Sequence, residues 1–326
     1  MKQYMKKIIS ILTFLLLGSS ISKAQQDAQY SQYIFNGIYI NPAYAGYKEV
    51  LNLHSFYRTQ WTGVTGAPKS FSFAADAIAN NGNVGLAFQV ASDVLGAQKN
   101  LMAYASYAYR LKLNDEGSSR LALGVSAGIM QLGLDGSILD PNDRESRQPF
   151  GMERALLPDA RFGVFFSNDR YFAGFSADNL ISSAIDVTRY AYVPQPAVHY
   201  YLTAGALVPI NESIQLRPSF LIKDDKKGPT SLDLNMFMIL SERFWLGGSY
   251  RTAIKLYEKN NLQDNLNARN SVVGALQLFP TRNLRIGYAY DFATGPLQGY
   301  ASGTHEISVG YSFDKNKVRM VSPRQF

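Results

Sequence analysis

Histidine and serine are residue types that could carry nucleophilic or general-base chemistry in this chain. The chain has three histidines, His54, His199 and His305, and Ser308 follows the last of them by three positions. A serine–histidine pair can hydrolyse a substrate when a further group orients the imidazole. No surrounding motif supplies that group. We therefore predict no catalytic residue and keep hydrolysis only as the least favoured functional alternative.

Acidic side chains in one stretch could bind a cation. Asp140, Asp143 and Glu145 are close in sequence, and calcium prefers such oxygen ligands. Their spacing lacks the fixed glycine of a dedicated calcium loop. The chain also has no cysteine, which excludes disulfides and thiolate metal sites. We predict neither a metal nor a cofactor.

The first residues have the pattern of an export signal. Lys6 and Lys7 precede an apolar run from Ile8 to Leu17, and small residues lead to Ala24. This order is typical of a secretory signal peptide. The apolar run is also too short for a membrane-spanning helix, which needs about 20 residues. We predict that residues 1–24 are removed by cleavage after Ala24.

The positive charge of the chain comes largely from this signal. The formal charge is +7, from 32 basic and 25 acidic residues, and residues 1–24 contain four lysines and no acidic residue. Without them, 28 basic and 25 acidic residues remain, a net charge of +3. This balance gives no charge excess for nucleic acid, and we predict that none is bound.

The elements that would position any site are strands. In the last of them Ile307, Val309 and Tyr311 face one way, and Glu306 and Ser308 face the other. The same two-residue period runs through most of the chain and predicts half-buried strands. The predicted strands are 50–60, 69–79, 83–92, 99–113, 119–131, 158–168, 171–179, 197–209, 213–223, 230–240, 243–253, 270–279, 283–292 and 304–313.

Charged residues such as Asp76, Arg110, Arg217, Arg251 and Glu306 fall on the small, polar face of these strands. Each would be costly alone in an apolar core, whereas inside a wide barrel they can meet water and one another. A closed sheet also pairs every backbone group in lipid. We predict an all-β fold, a transmembrane outer-membrane β-barrel over residues 50–313, antiparallel and up-and-down, with about fourteen strands.

Short and long connections alternate along this barrel. Turn-like connections such as 80–83 and 280–283 alternate with long ones such as 132–157 and 180–196, although 93–98 and 224–229 are short exceptions. Outer-membrane barrels have short periplasmic turns and longer external loops. We therefore predict a periplasmic N-terminus and external long loops.

The last predicted strand carries a second signal. Ser308, Gly310 and Phe313 are similar to the polar–glycine–aromatic pattern that barrel-assembly machinery recognises. The pattern predicts that these residues direct assembly. A basic tail, residues 314–326, follows instead of the chain ending there.

Residues 25–49 do not follow the strand period and are rich in tyrosine and asparagine. Two interpretations remain open. The segment is a periplasmic or lumen-lying lead-in to the first strand, or it docks a partner or plugs the lumen through tyrosines of the kind enriched at interfaces.

The stretch from Gln29 to Gly46 forms an opening motif, which is followed by Trp61, with Arg58 and Gln60 beside it, and by Gly66-Ala67-Pro68. The motif residues, which we predict to be possible partner-docking residues, are Gln29, Tyr30, Ser31, Gln32, Tyr33, Asn36, Asn41, Pro42, Ala43, Gly46 and Trp61. Tyr44 and Ala45 lie within the same run. Through these residues, the stretch 25–80 resembles the PorP/SprF family.

The resemblance implies a non-enzymatic outer-membrane component of the type IX secretion system of the Bacteroidetes. Its implied partners are the periplasmic ring and motor components, outer-membrane lipid and secreted cargo with a C-terminal sorting domain, such as gliding adhesins. The implied role is cargo secretion and surface attachment, with the long loops contacting cargo outside. A general diffusion channel remains the alternative, because an alternating polar wall suits it equally well.

Overall fold

A computed structural model of the chain describes residues 31–139, 150–187, 193–241, 243–259, 271–293 and 302–313. The predicted signal peptide, Gln29, Tyr30, the three acidic residues at 140, 143 and 145, and the tail 314–326 lie outside these ranges. The strands are β1 Leu51–Thr59, β2 Lys69–Ala79, β3 Val84–Leu95, β4 Gln98–Lys112, β5 Arg120–Asp135, β6 Met152–Ser167, β7 Tyr171–Asp178, β8 His199–Ala206, β9 Val208–Asn211, β10 Ile214–Asp224, β11 Thr230–Leu240, β12 Phe244–Ile254, β13 Ser271–Leu278, β14 Leu284–Ala293 and β15 Thr304–Phe313.

These strands form one closed antiparallel sheet. Each pairs with its neighbours in the chain, and β15 pairs with β1 from Leu51↔Phe313 to Thr59↔His305. β8 and β9 form a single span interrupted at Leu207, since both pair with β10. The described residues therefore form a fourteen-span barrel, as predicted.

Two strand boundaries differ from the prediction by at least four residues. β5 continues to Asp135 and β6 begins at Met152, so the predicted connection 132–157 shortens to 136–151. The register continues from Ile129↔Pro158 to Asp135↔Met152. Charged residues such as Glu153 and Arg154 are accommodated in this extension, because strands that continue beyond the lipid do not need an apolar outer face.

The predicted alternation is confirmed. Side chains such as Ile307, Val309 and Tyr311 are exposed on the outside of the barrel, where lipid would cover them. Charged side chains on the opposite face, such as Glu306 and Asp76, are 0% and 2% exposed. The prediction that inner charges meet one another is confirmed, as for Arg58 and Glu306 at 2.9 Å. The prediction that they also meet water is wrong for Glu306 and Asp76, because other parts of the chain cover them.

The connections divide the barrel into two ends. At the short-turn end, Asn80 and Asn81 have positive φ values of 49° and 54°, which asparagine tolerates in tight turns. The long-loop end carries connection 60–68, which follows β1, and connection 179–198, which follows β7. Gly96 and Ala97 form the predicted short exception between β3 and β4.

The chain enters the barrel before β1. Three short 3-10 helices, Gln32–Phe35, Gly37–Tyr39 and Pro42–Tyr44, precede that strand. The last of them contacts β3, β4, β5 and β6 from within. No helix in the described ranges is long and apolar enough to cross a membrane.

Candidate functional site

The lumen of the barrel is occupied by residues 31–50, which we call the lumen segment. Its tyrosines and aliphatic side chains belong to one apolar cluster with inward-facing wall residues. Polar members are also buried, with Asn36 and Asn41 only 0% and 3% exposed. Of the placements left open for residues 25–49, the described part therefore occupies the lumen and does not extend into the periplasm.

A buried charge cluster holds the start of the lumen segment at the long-loop end. The backbone N–H groups of Ser31 and Gln32 donate to the Glu306 carboxylate at 2.9 and 2.8 Å. The Arg58 guanidinium lies between Glu306, at 2.9 Å, and Asp291, at 2.7 Å. The Glu306 and Asp291 carboxylates are therefore both paired with Arg58, and both also accept hydrogen bonds from Ser31 of the lumen segment.

Gln32 makes a second contact with β15. Its side-chain amide donates to the backbone carbonyl of Glu306 at 2.9 Å and accepts from the Ser308 hydroxyl at 2.6 Å. Ser308 is therefore buried against the lumen segment. Its predicted role in barrel assembly is a separate matter and stays a prediction.

Two asparagines fix the turns between the 3-10 helices. Asn36 accepts from the Ile38 backbone at 3.4 Å, and Asn41 accepts from the Ala43 backbone at 2.9 Å. The Asn41 amide also donates to the carbonyl oxygens of Val164 and Phe175, at 3.0 and 3.3 Å. Asn41 therefore caps a helix and binds the wall with one side chain.

Aromatic contacts fill the middle of the lumen. Phe35 packs edge-on against Phe237 and Trp245, with ring centroids 5.5 and 5.9 Å apart. The Tyr33 hydroxyl accepts from the Asn235 amide at 2.9 Å. Burial raises the pKa of Tyr33, so its hydroxyl stays neutral.

Glycines in the wall make room for the lumen segment. A Cβ added at Gly85 would overlap the carbonyl oxygen of Ala45, and one added at Gly124 would overlap the backbone of Ala43. A Cβ at Gly163 would overlap the side-chain oxygen of Asn41. The wall is therefore shaped to admit backbone at close range, which only glycine allows.

Charged contacts complete the site at the short-turn end. Glu49 bridges Arg110 and Arg120 at 3.0 and 3.2 Å. Next to it, Lys48 donates to the carbonyl oxygen of Phe35 at 3.3 Å. Burial lowers the pKa of Lys48 well below its ordinary value, and the positive charge of Arg285 lowers it further.

A loop closes the lumen beside the segment. In connection 179–198, the Ser182 backbone donates to the Asp159 carboxylate at 3.0 Å, while Val187 and Val193 pack among inward side chains of β4 to β6. The Arg161 guanidinium lies 3.6 Å over the Tyr104 ring beneath this loop. The prediction that 180–196 reaches outside to cargo is therefore incomplete, since part of the loop faces inward.

His305 and Ser308 do not form a serine–histidine pair, because they lie on opposite faces of β15. His305 faces outward and lies 2.8 Å from the Tyr288 hydroxyl, whereas Ser308 faces inward. His54 lies 3.0 Å from the Tyr39 hydroxyl. His199 is buried near Asn179, at 3.3 Å. In the described ranges no group of three acidic or histidine side chains is placed to hold a metal.

The remaining predicted residues have varied positions. Pro42, Ala43 and Gly46 are buried in the lumen segment, and Gly46 has a φ of +69°. Trp61 lies half-buried in the loop after β1, and its backbone N–H is 3.3 Å from the Thr304 hydroxyl. Docking through the buried motif residues would require the segment to leave the lumen.

Two further residues complete the predicted assembly signal. Gly310 lies beneath the Arg285 guanidinium, with an added Cβ only 2.6 Å from its nearest nitrogen. Phe313 is exposed on the outer face. Gly310 therefore has a packing role whether or not it also directs assembly.

The sequence did not predict the wall glycines against which the lumen segment packs. The inward positions of Gly85, Gly124 and Gly163 looked like small residues facing water. Glycine in place of serine or asparagine at three such positions was the available signal, because it indicates close backbone approach. Glu49 and Asp291 gave no such signal.

We expect Asn41→Ala to lower the free energy of unfolding more than Asn36→Ala does. The first removes a cap and two hydrogen bonds to the wall, a loss of about 2–3 kcal/mol in the free energy of unfolding. The second removes one long cap contact and should cost about 1 kcal/mol or less. Urea unfolding of the two purified variants in detergent measures the difference. Equal losses would show that the Asn41 wall contacts contribute nothing.

Comparisons with known proteins agree on family and fold. A family model described as type IX secretion system membrane protein PorP/SprF matches residues 22–311. No curated protein matches the chain in sequence. Similar solved structures include the CymD monoaromatic hydrocarbon channel, at 10% identity over 86% of this chain and 93% of that chain, with a TM-score of 0.51. The match to Omp33, an outer membrane protein of Acinetobacter baumannii, covers 98% of that chain and 81% of this chain at 9% identity, with a TM-score of 0.45.

Proposed function

Because this chain belongs to the PorP/SprF family of type IX secretion system membrane proteins, we propose that it takes part in secretion and surface attachment of cargo proteins. The cargo would carry a C-terminal sorting domain, as gliding adhesins do. The protein would act in the outer membrane after cleavage of residues 1–24, and it would bind cargo without changing it chemically.

The observation that carries this proposal is the filled lumen. The lumen segment makes hydrogen bonds, ion pairs and aromatic contacts with the wall along its length, from Ser31 to Glu49. A diffusion channel requires a continuous aqueous path through the barrel. The outward-facing apolar band of this barrel would suit such a channel, but the lumen segment occupies the path. A barrel closed in this way supports a role in binding and assembly.

The two ends of the barrel suggest separate partners. With the short turns in the periplasm, the ring and motor components would meet the end that carries Glu49 and Gly82. Exported cargo would meet the long-loop end. This orientation follows the general arrangement of outer-membrane barrels.

We expect deletion of the gene to leave cargo of the matching sorting class inside the cell or unanchored in the medium. The loss should be nearly complete for that class, and cargo of other classes should be displayed normally. Immunoblots of cell, surface and medium fractions measure it, with a plasmid copy of the gene as the control. Normal surface display of all cargo would contradict the proposal.

The channel alternative has its own measurement. The purified wild-type barrel should be silent in planar lipid bilayers, because the lumen segment blocks the path. Steady open-pore conductance of the wild type would instead favour a diffusion channel.

A further inference from the structure

Among the residues that the structure describes, the wall of the barrel has a free strand edge at the long-loop end. β5 pairs with β6 over its whole length, from Arg120↔Ser167 to Asp135↔Met152. β7 pairs with β6 only from Phe162↔Ala177 to Ser167↔Phe172. Residues Met152–Asp159 of β6, which we call the β6 edge, therefore have a strand neighbour on one side only in the described ranges.

The chain leaves the β6 edge because it turns into the lumen after β7. The last bond on this side runs from the Leu180 N–H to the Ala160 carbonyl at 3.1 Å. Asn179 has a φ of 61°, which ends the strand. The Asp159 carboxylate then accepts from the Ile181 and Ser182 backbones at 3.3 and 3.0 Å. These contacts fix the loop inside the barrel.

The direction of the free backbone groups follows from the same bond. Successive residues of a strand direct their N–H and C=O groups to opposite sides, so those of Met152, Arg154 and Leu156 point the same way as the Ala160 carbonyl. Within the described part of the chain, no strand pairs with them. Pro158 has this parity too, and its missing N–H is tolerated because it faces the free side.

Residues Met152–Leu157 of the β6 edge lie beyond the lipid. A strand needs about 9–11 residues to cross the hydrocarbon core, and 158–167 supply them from the short-turn end. Leu156, the next residue of the outward face, is 63% exposed. A free edge is not stable within hydrocarbon, whereas outside it the edge is a template for another strand.

The side chains of the β6 edge indicate the partner. Met152 and Leu156 are exposed apolar side chains on its outer face, and exposed Arg154 lies between them. We propose that the β6 edge docks an extended strand of a partner protein, in which apolar residues flank a carboxylate facing Arg154. Backbone pairing supplies the affinity and the side chains supply the selectivity.

A second copy of this chain fits the β6 edge less well. Antiparallel pairing of two such edges would bring Arg154 opposite or diagonal to its counterpart, and like charges across strands are destabilising. The docking proposal does not depend on the secretion role, because it rests on the backbone and side chains of the β6 edge.

The test uses the full-length protein in detergent. The probe is a fluorescent synthetic peptide that alternates valine and threonine around one central glutamate, and fluorescence polarisation measures its binding. The wild type should bind it. Leu156→Pro, which removes one edge N–H at a position where proline is tolerated, should weaken binding about threefold to tenfold, as expected for one lost edge hydrogen bond. Leu156→Ala, which keeps the N–H, should weaken it less.

Two controls separate edge pairing from surface stickiness. Leu101 lies in the same cross-strand row as Leu156, through Leu101↔Gln131↔Leu156, but its strand is paired on both sides. Leu101→Ala should leave binding unchanged, while Arg154→Glu should reverse the preference toward a peptide with lysine at the centre. Circular dichroism confirms that each variant is folded.

Four outcomes would overturn the docking proposal. One is that the wild type does not bind the peptide. The second is that an N-methylated peptide, which cannot pair, binds equally well. The third is that Leu156→Pro binds like Leu156→Ala. The fourth is a dimer in sedimentation that Leu156→Pro dissolves, which would make a second copy the occupant.

Discussion

Gly85→Val should expel the lumen segment from its seat. The added Cβ would overlap the carbonyl oxygen of Ala45 and would lie 3.1 Å from the backbone nitrogen of Gly46, a residue whose own φ is +69°. Backbone cannot move aside as a flexible side chain can. Overpacking of this kind costs about 1–3 kcal/mol, which corresponds to roughly tenfold to a hundredfold in the equilibrium for release.

Cysteine labelling measures the release of the lumen segment directly. Because the chain has no cysteine, Ile38→Cys provides a single thiol at a residue that is 2% exposed. A maleimide reagent should modify it slowly in the wild-type background and about tenfold to a hundredfold faster with Gly85→Val, if labelling follows the open population. The bilayer recording should change in parallel, from silent to conducting.

The matched control for Gly85→Val is Gly274→Val. Gly274 is also a strand glycine, but an added Cβ there meets no atom within 4 Å. This variant should label at the wild-type rate. If both valine variants label alike, the fit between Gly85 and the lumen segment does not hold the segment in place.

The barrel itself could be predicted from local patterns. The alternation in β15 and the short turn at Asn80 and Asn81 depend on a few neighbouring residues, so both are visible in sequence. The ends of β5 and β6 at the long-loop end, residues 132–135 and 152–157, were not visible. They extend beyond the lipid, where Arg154 can face outward, and the membrane pattern therefore ends before the strand does.

The filling of the lumen could not be predicted from those patterns. A two-residue period shows which face is polar but not whether water or protein covers it. Ser31 and Asp291 are in hydrogen-bond contact although 260 positions separate them, and no local signal connects them. The family motif drew attention to the correct segment, but interface-type tyrosines suggested an exposed surface when Tyr33 is buried.

Arg58→Met should be among the most damaging single changes in the protein. Arg58 is 3% exposed and is paired with Asp291 and Glu306, while Arg251 is paired with Asp233 and lies 3.8 Å from Asp291. Without Arg58, the three buried carboxylates of Asp233, Asp291 and Glu306 have only the Arg251 guanidinium among these residues. Breaking a buried ion pair on one side costs about 3–5 kcal/mol, because the remaining charge is neither solvated nor compensated.

The loss from Arg58→Met should appear in two measurements. The free energy of unfolding in urea should fall by about 3–5 kcal/mol. The Ile38→Cys thiol should also label faster. Without Arg58, the Asp291 carboxylate repels the Glu306 carboxylate, which then no longer holds the Ser31 backbone N–H. Adding Glu306→Gln should restore part of both, because it removes one of the unpaired charges while keeping an oxygen that accepts from Ser31.

An exposed ion pair provides the control for Arg58→Met. Lys99 and Asp135 are 2.8 Å apart, but the lysine side chain is 45% exposed. Water screens such a pair, so Lys99→Met should change the free energy of unfolding by about 1 kcal/mol or less. If the two variants were equally stable, or if Glu306→Gln deepened the defect, the buried cluster would not depend on charge balance. The start of the lumen segment would then be held by backbone hydrogen bonds and packing alone.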